Sequence, residues 1–417
     1  MKTILIVLCT MCCIGAQSQT EFSVVFYNLL NYPTAPPANR EVILANILEE
    51  LQPDIFLVCE LESNAGSVEI LNSSLNTGAT VYASAPYQNN MSSGSDLQQL
   101  VYYNTDMFTL TATDVVINDL RDINRYTLER ITDDDTDPQS LEIFVTHLKA
   151  GSSDSDQQIR FDMIQDFAQY LNTIDFDPDS NVIFAGDLNL SSSDESSYQL
   201  LLNNGTIPIV DPIDTPGDWN NNDAFTAIHT QSTRISSNDF DGFGAGGGLD
   251  SRFDFILFSE NMLNPDNNIS YVPNSYEAIG NNGNCFNNRI DSSNCDGSFS
   301  AALRDQLYLM SDHLPVVARL QVNDDVLSTN NPENVQPLAR FVRSNIITNE
   351  RMVEIAFAKA ETLPPSVTVY DQIGRRLQTI TVEDLKLSIP VTTLSSGVYY
   401  IVLDGQSSEP LKFVKTP

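Results

Sequence analysis

Ser311-Asp312-His313-Leu314-Pro315 places a carboxylate directly before an imidazole at the start of an apolar run, where it could fix the ring's tautomer. The chain has only 3 histidines, so the placement of each one matters. Similar polar groups stand at the ends of other apolar runs: Asn28 after Phe22–Phe26, Glu60 after Ile55–Cys59, His147 after Ile143–Thr146, and Asp187 with Asn189 after Val182–Ala185. Asp254 differs because it lies inside Arg252-Phe-Asp-Phe-Ile-Leu, and a charge within a buried strand is costly unless paired or bound to a metal. Carboxylates and amides suit a hard cation, and imidazoles with a second carboxylate suit proton handling. Together they point to metal-assisted attack of water on a phosphodiester.

Each residue also has a plainer reading. Asp187 and Asn189 could form a turn after a strand, Glu60 could open a helix, and the Asp-His pair could be structural. His229, in Phe225-Thr-Ala-Ile-His229-Thr, fits packing better than chemistry. The run Asp133-Asp134-Asp135-Thr-Asp137 lacks the glycine and glutamate of a calcium loop and reads as a solvated hairpin tip.

The elements that must position these groups are short β-rich runs alternating with helical patterns. Phe22–Phe26, Ile55–Val58, Leu100–Tyr103, Glu142–Val145, Asn181–Ala185, Phe253–Phe258 and Val316–Leu320 read as strands, many buried on both faces. Arg40–Leu51 and Ile159–Leu171 carry apolar residues at helical spacing, and Pro53 stops the first. Strand-to-strand turns with long loops suggest two packed mixed sheets with helices outside, a four-layer α/β-sandwich over residues 20–322. Gly242–Gly248 either lines a cleft or crosses the surface. Residues 323–337 read as a linker, and 338–417 as a small antiparallel β-sandwich with period-two strands and no histidine or cysteine.

A net charge of -34, from 55 acidic and 21 basic residues, excludes a duplex-wrapping binding protein, whose affinity would rest on Lys and Arg. It does not exclude an enzyme, since bound divalent cations reverse the local sign. Residues 1–18 show the charged, apolar and small-residue zones of a secretory signal, with cleavage near Ala16 to Ser18, and no later run is long enough for a transmembrane anchor. Lipid attachment at Cys12 or Cys13 is the alternative, although neither sits in a lipobox. Cys285 and Cys295 flank an Asn-rich loop, which in an exported chain favours a local disulfide, while Cys59 reads as a buried thiol.

These motifs resemble the endonuclease/exonuclease/phosphatase superfamily, which includes deoxyribonucleases, abasic-site endonucleases, sphingomyelinases and inositol phosphate phosphatases. The resemblance rests on Phe26-Tyr-Asn28-Leu, Asp54-Ile-Phe-Leu-Val-Cys-Glu60, Thr146-His147-Leu, Gly186-Asp187-Leu-Asn189, Arg252-Phe-Asp254-Phe-Ile and Ser311-Asp312-His313-Leu-Pro, six motifs in the family's order. It implies a deoxyribonuclease-like fold with Mg2+ as cofactor, Ca2+ or Mn2+ being the alternatives. Glu60 would be the principal metal ligand, with Asn28 and Asp312 near the ion. Asp187, aided by Asn189, would activate water. His313, held by Asp312, would bind or protonate a phosphate oxygen, His147 would assist the leaving group, and Asp254 would orient an imidazole. Asn28, Asn189 and Arg125 would touch the substrate phosphate, although the residues flanking Arg125 depart from the pattern.

Val367-Thr-Val-Tyr-Asp371-Gln-Ile-Gly374-Arg, Leu394-Ser-Ser-Gly397-Val-Tyr-Tyr-Ile and Lys412-Phe-Val-Lys415 resemble the C-terminal sorting domain read by the type nine secretion system. A carbohydrate-binding or stabilising sandwich is the other reading. The resemblance implies export through the periplasm to the cell surface or medium, with the secretion machinery as partner. The expectation is a secreted, monomeric, divalent-metal-dependent nuclease acting on DNA or RNA. The alternatives are a phosphoesterase acting on lipid head groups or small phosphate esters, and a degenerate adhesin.

Overall fold

The computed structural model describes residues 20–79, 81–92, 94–132, 139–174, 176–323, 339–342, 346–347, 352–357, 363–405 and 410–416. The signal reading (1–18), the acidic run at Asp133–Asp137 and nearly all of the linker reading (323–337) lie outside the described residues. Two compact units form, one within 1–325 and the other within 326–417.

The larger unit begins with β1 (Thr20–Tyr32), α1 (Arg40–Leu51), β2 (Ile55–Leu61), α2 (Asn64–Glu69), β3 (Tyr82–Ser84) and β4 (Gln98–Asn104). It continues through β5 (Phe108–Val116), β6 (Ile123–Arg130), β7 (Ser140–His147), α3 (Asp154–Thr173), β8 (Val182–Asp187), α4 (Ser196–Leu202) and β9 (Ile209–Val210). It closes with β10 (Asp254–Ser259), β11 (Ile269–Tyr271), β12 (Glu277–Ala278), α5 (Ala301–Met310) and β13 (Val316–Val322). One sheet runs β11-β13-β1-β2-β4-β3, with β12 beside β13, and the other runs β5-β6-β7-β8-β10-β9.

The sheets face each other, with β1 against β8 and β10, and β2 against β7. Their inner faces share one core that contains Val25, Leu57, Ile143, Ala185 and Ile256. Phe144, Phe184 and Phe255 on the outer face of the second sheet pack with Met163 and Phe167 of α3 and Leu201 of α4, while Leu44 and Leu48 of α1 and Leu303 and Leu307 of α5 join the first sheet's core. Helices therefore cover both sheets, giving the four-layer α/β-sandwich.

Strand direction explains why groups far apart in sequence meet. β1 and β2 run parallel, as do β7 and β8, so their carboxyl ends share one edge. β13 is antiparallel to β1, and β10 is antiparallel to β8, so these two strands contribute their beginnings to the same edge. His147 and Asp254 each stand opposite Asp187 in the register. Hence Asn28, Glu60, His147 and Asp187 arrive at strand ends, whereas Asp254 and Asp312-His313 arrive at strand starts.

Two loops at that edge are tied together by one buried cation. Arg160 of α3 sends Nη1 to the carbonyls of Lys149 (2.8 Å) and Gly151 (2.7 Å), and Nη2 to Glu195 Oε2 at 2.7 Å. The other Glu195 oxygen accepts from the Ser191 backbone N–H at 2.8 Å. The loop after His147 is thereby fixed to the loop after Asp187. Gly151 adopts φ 109°, and a Cβ there would come within 2.4 Å of Asp156 Oδ2, so only glycine permits the close turn. Asp156 in turn completes a capping box with Ser153 at the start of α3.

In the smaller unit, Ala339–Phe341, Met352–Phe357 and Lys386–Pro390 form a three-stranded sheet. Ile346–Ile347, Leu411–Lys415, Gly397–Leu403, Ser366–Asp371 and Arg376–Thr381 form a five-stranded sheet. Alternating residues such as Val353, Ile355, Val367, Val369, Ile401 and Phe413 fill one core, as the period-two pattern requires.

Removing the Arg160 clamp strands a buried carboxylate. Arg160→Met is expected to lower stability by about 3–5 kcal/mol in chemical denaturation, and adding Glu195→Leu should recover most of that loss. A loss below about 1 kcal/mol for the single variant would show that the clamp is not needed.

Candidate functional site

Asn28, Glu60, His147, Asp187, Asn189, Asp254, Asp312 and His313 converge at the shared strand edge. Asn28, Asp187, Asp254 and Asp312 are at most 3% exposed, as are both histidines. Asn28 Nδ2 bridges two carboxylates, at 3.1 Å from Glu60 Oε1 and 3.0 Å from Asp187 Oδ2. Its Oδ1 accepts from the Leu30 N–H at 3.0 Å, which fixes the amide's orientation. Asn28 thus presents donors, not its carbonyl oxygen, to the carboxylates.

Glu60 interrupts the pairing of β2 and has φ 60°, a left-handed conformation that disfavours glutamate. Its other oxygen is held by the Asn31 N–H at 2.9 Å. Asn189 takes φ 50°, which asparagine tolerates well, and its N–H donates to Asp187 Oδ1 at 3.0 Å. The Asn189 side chain donates to Leu148 O at 3.2 Å.

His147 Nε2 lies 3.5 Å from Asp187 Oδ2 and 3.9 Å from Glu60 Oε1. Those three residues place ligand-type atoms within 4.8 Å of one another. His313 Nε2 faces the same Asp187 oxygen at 3.6 Å, and its Nδ1 is 2.8 Å from Asp254 Oδ2. The partner that sets the His313 tautomer is therefore Asp254 rather than the adjacent Asp312, because neighbouring residues in an extended segment point to opposite sides. Asp312 Oδ2 instead accepts from Gln231 Nε2 at 3.0 Å and from the Ala245 N–H at 2.7 Å. Gly244 must lack a side chain here, since a Cβ would sit 2.9 Å from the Asp312 carboxyl carbon. The Gly242–Gly248 loop thus backs onto the site.

Arg125 does not reach the cluster. It lies on β6 with its side chain toward α3, where Nε meets Glu142 at 2.8 Å and Nη1 meets the Tyr170 hydroxyl at 3.2 Å. Its neighbours Tyr126 and Leu128 supply buried inward-facing groups of that strand. The cation at the edge is Arg121, just before β6, whose Nη1 donates to the carbonyls of His147 (3.1 Å) and Leu148 (3.0 Å). Gln231 is a second residue that motif reading passed over. Its Nε2 is 2.7 Å from His313 Nε2, so the orientation of the amide and the charge of the ring are linked. The available signal was its place two residues after His229, in the segment whose Thr230 hydroxyl accepts the Phe253 and Asp254 N–H groups. His229 itself is buried, with Nε2 on the Trp219 carbonyl at 2.9 Å.

The charges explain the titration behaviour. Burial pushes the Asp187 carboxyl up to about 7; the nearby Asp254 and Glu60 carboxylates add to this, while His313 opposes it. Glu60 is raised by burial and by Asp312. His147 is held well below its ordinary range by burial, Arg121 and His313. Burial would also lower His313, but Asp254, Asp187 and Asp312 outweigh it and raise the ring well above its usual value. Buried Asp254 Oδ1 and Asp312 Oδ1 take no hydrogen bond among the described residues. Crowded carboxylates with uncommitted oxygens fit a hard divalent cation. Cys59, buried behind Glu60, has its thiol pushed up by burial and by Asp187, and so is inert. Cys285 and Cys295 are joined as a disulfide across the Asn-rich loop.

Comparison with known proteins adds two regions of similarity. The model of the Endonuclease/Exonuclease/phosphatase family matches residues 25–313, and that of the secretion system C-terminal sorting domain matches residues 349–415. Among solved structures, truncated TDP2 of Caenorhabditis elegans is 17% identical, covering 72% of this chain and 98% of that one with a TM-score of 0.45. An endonuclease/exonuclease/phosphatase family protein from Bacteroides thetaiotaomicron is 15% identical, covering 73% and 99%, with a TM-score of 0.44. The human Nocturnin catalytic domain is 14% identical, covering 73% and 97%, with a TM-score of 0.42. No curated protein matches the chain.

Asp187 makes the metal-free protein sensitive to pH in a defined direction. Between its ordinary value of 3.8 and about 7, the folded state keeps a proton that the unfolded chain releases. Stability therefore falls as pH rises through that window, and the full penalty persists above it. Asp187→Asn is expected to stabilise the metal-free protein near pH 7.5 by on the order of 2–4 kcal/mol, with little effect near pH 4. Melting curves in chelator at both pH values check this, and a variant no more stable than wild type near pH 7.5 would contradict it.

Proposed function

The chain belongs to the endonuclease/exonuclease/phosphatase family of phosphoester hydrolases, and on that premise we propose that it is an exported, divalent-metal-assisted phosphodiesterase, with nucleic acid the first substrate class to test. The observation that carries this reading is the Asp187 carboxylate within 3.6 Å of both imidazoles while Asn28 ties it to Glu60. Such an arrangement is suited to taking a proton from water beside a phosphate.

In this reading Glu60 and Asp312 hold the cation, with Asn28 aligning the Glu60 and Asp187 carboxylates rather than ligating through its oxygen. Mg2+, or Mn2+ or Ca2+ in its place, supplies charge neutralisation of the phosphate oxygens when bound. Asp187 accepts the proton of the attacking water, and Asn189 fixes its second oxygen through the backbone. His313, oriented by Asp254, offers its Nε2 proton to a phosphate oxygen. His147, neutral in its buried setting, donates a hydrogen bond toward the leaving-group oxygen. Arg121 rather than Arg125 supplies the nearby positive charge.

The chain also carries a C-terminal sorting domain of the type nine secretion system. Its presence supports delivery to the surface or medium, and among the described residues no helix is long and apolar enough to cross a membrane. The periplasmic route, the 1–18 signal, the 323–337 linker and a monomeric state belong to the same proposal.

The full chain, tested on DNA, RNA, a phosphocholine lipid and a small phosphate ester, is expected to hydrolyse at least one diester, and only with divalent cation present. Glu60→Gln should lower kcat/KM by about a thousandfold or more, and His313→Ala by roughly a hundred- to ten-thousandfold. Turnover that survives both chelator and Glu60→Gln would refute the proposal.

A further inference from the structure

A polynucleotide is held mainly by cations that neutralise successive phosphates along its backbone. This chain carries 21 basic residues against 55 acidic ones, and the larger unit turns five of its arginines inward. Arg40, Arg160, Arg234, Arg252 and Arg304 are each at most 2% exposed. Arg40 and Arg234 donate to backbone carbonyls beneath Asp312, at Met310 and at Tyr308 and Leu309. Arg252 forms a bidentate pair with Asp211, at 2.6 and 3.0 Å, and Arg304 reaches Asp296.

Three of the basic groups nearer solvent are neutralised already. Lys149 lies 2.7 Å from Asp156, Arg125 2.8 Å from Glu142 and Arg289 2.6 Å from Asp291. Arg130 donates to Gln139 at the end of β6 remote from the site. Arg319 is exposed on β13, but it is six residues beyond His313, about 20 Å along an extended strand. Among the described residues of the larger unit, Arg121 is the cation that remains beside the site, and part of its guanidinium is committed to the carbonyls of His147 and Leu148. The rim adds negative charge: Glu62 lies two residues beyond Glu60, and Asp96 follows the Ser95 hydroxyl that accepts from Arg121 Nε at 3.4 Å.

We propose that the cleft engages one phosphate at a time, so that its substrates are short or isolated phosphodiesters, such as dinucleotides and diesters flanked by uncharged groups. This rests on the phosphodiesterase reading above and narrows its substrate class. Beyond the reacting phosphate, each neighbouring phosphate of a polymer meets carboxylates rather than cations. A polymer is therefore repelled, and screening by salt relieves that repulsion.

The test compares kcat/KM per cleavable bond of the full chain on a dinucleotide and on a long single-stranded polynucleotide. Saturating Mg2+ is held fixed while KCl rises from about 20 to about 300 mM, a range over which cation-mediated binding to a polymer falls steeply. The expected result is a dinucleotide preferred by about tenfold or more, with the polymer-to-dinucleotide ratio flat or rising with salt. A preferred polymer whose ratio falls tenfold or more across the range would overturn this proposal while leaving the phosphodiesterase reading intact. Failure to hydrolyse the dinucleotide, the polynucleotide and bis(p-nitrophenyl) phosphate alike would overturn this proposal, and failure on the phosphocholine lipid as well would defeat the phosphodiesterase reading with it.

Discussion

Mutual repulsion among Glu60, Asp187, Asp254 and Asp312, four carboxylates gathered at one poorly solvated edge, is the constraint to which the rest of the larger unit responds. Unpaired, even two such charges inside a protein cost several kcal/mol. The fold offsets part of that cost with donors: Asn28 between Glu60 and Asp187, the Asn31 and Ala245 N–H groups, Gln231 on Asp312, and His313 on Asp254. It leaves part unmet, seen in the raised Asp187 and Glu60 carboxyls and in the uncommitted oxygens of Asp254 and Asp312. That remaining cost is what a divalent cation would relieve.

Holding the groups against repulsion requires rigid supports, and the chain uses buried arginines for them. Arg160 locks the loops that follow His147 and Asp187, while Arg252, paired with Asp211 and lying over the Phe255 ring at 4.2 Å, stiffens the entry to β10 beside Asp254. Arg40 and Arg234 gather the carbonyls around Met310 and Leu309, just ahead of Asp312. These arginines brace the site from behind, which is why an acidic chain with few cations still contains so many fully buried ones. The same economy leaves little positive charge to greet a substrate at the surface.

Much of this was legible in the sequence because the polar groups sit at the ends of apolar runs, and a run long enough to be a buried strand fixes where its end must lie. Asp254 was legible for the opposite reason, as a charge where a buried strand should have none. Pairing was not legible. Asp312 adjoins His313 in sequence, yet Asp254 holds the ring, because strand direction brings the start of β10 opposite Asp187. Arg125 and Arg121 are four residues apart, and only the facing of β6 decides that the first belongs to the α3 side. The strand Phe108–Val116 carries a mixed polar pattern that tertiary packing organised, whereas Ile123–Arg130 alternates over a short stretch and Ala301–Met310 places Leu303, Leu307 and Met310 at helical spacing over barely three turns. Gln231 was marked only by its place two residues after His229, since the value of that glutamine lies in the His313 ring it touches.

Proton release on cation binding tests the central claim most directly. Calorimetric titration of the full chain with Mn2+ near pH 6, in buffers of different ionisation enthalpy, counts those protons. The account predicts that about one proton leaves per ion bound, because Asp187 is largely protonated at that pH until the cation arrives, and that Asp187→Asn binds without release. Binding that releases no proton from the wild-type protein would mean that the carboxylates are not poised for a cation, and would contradict the account.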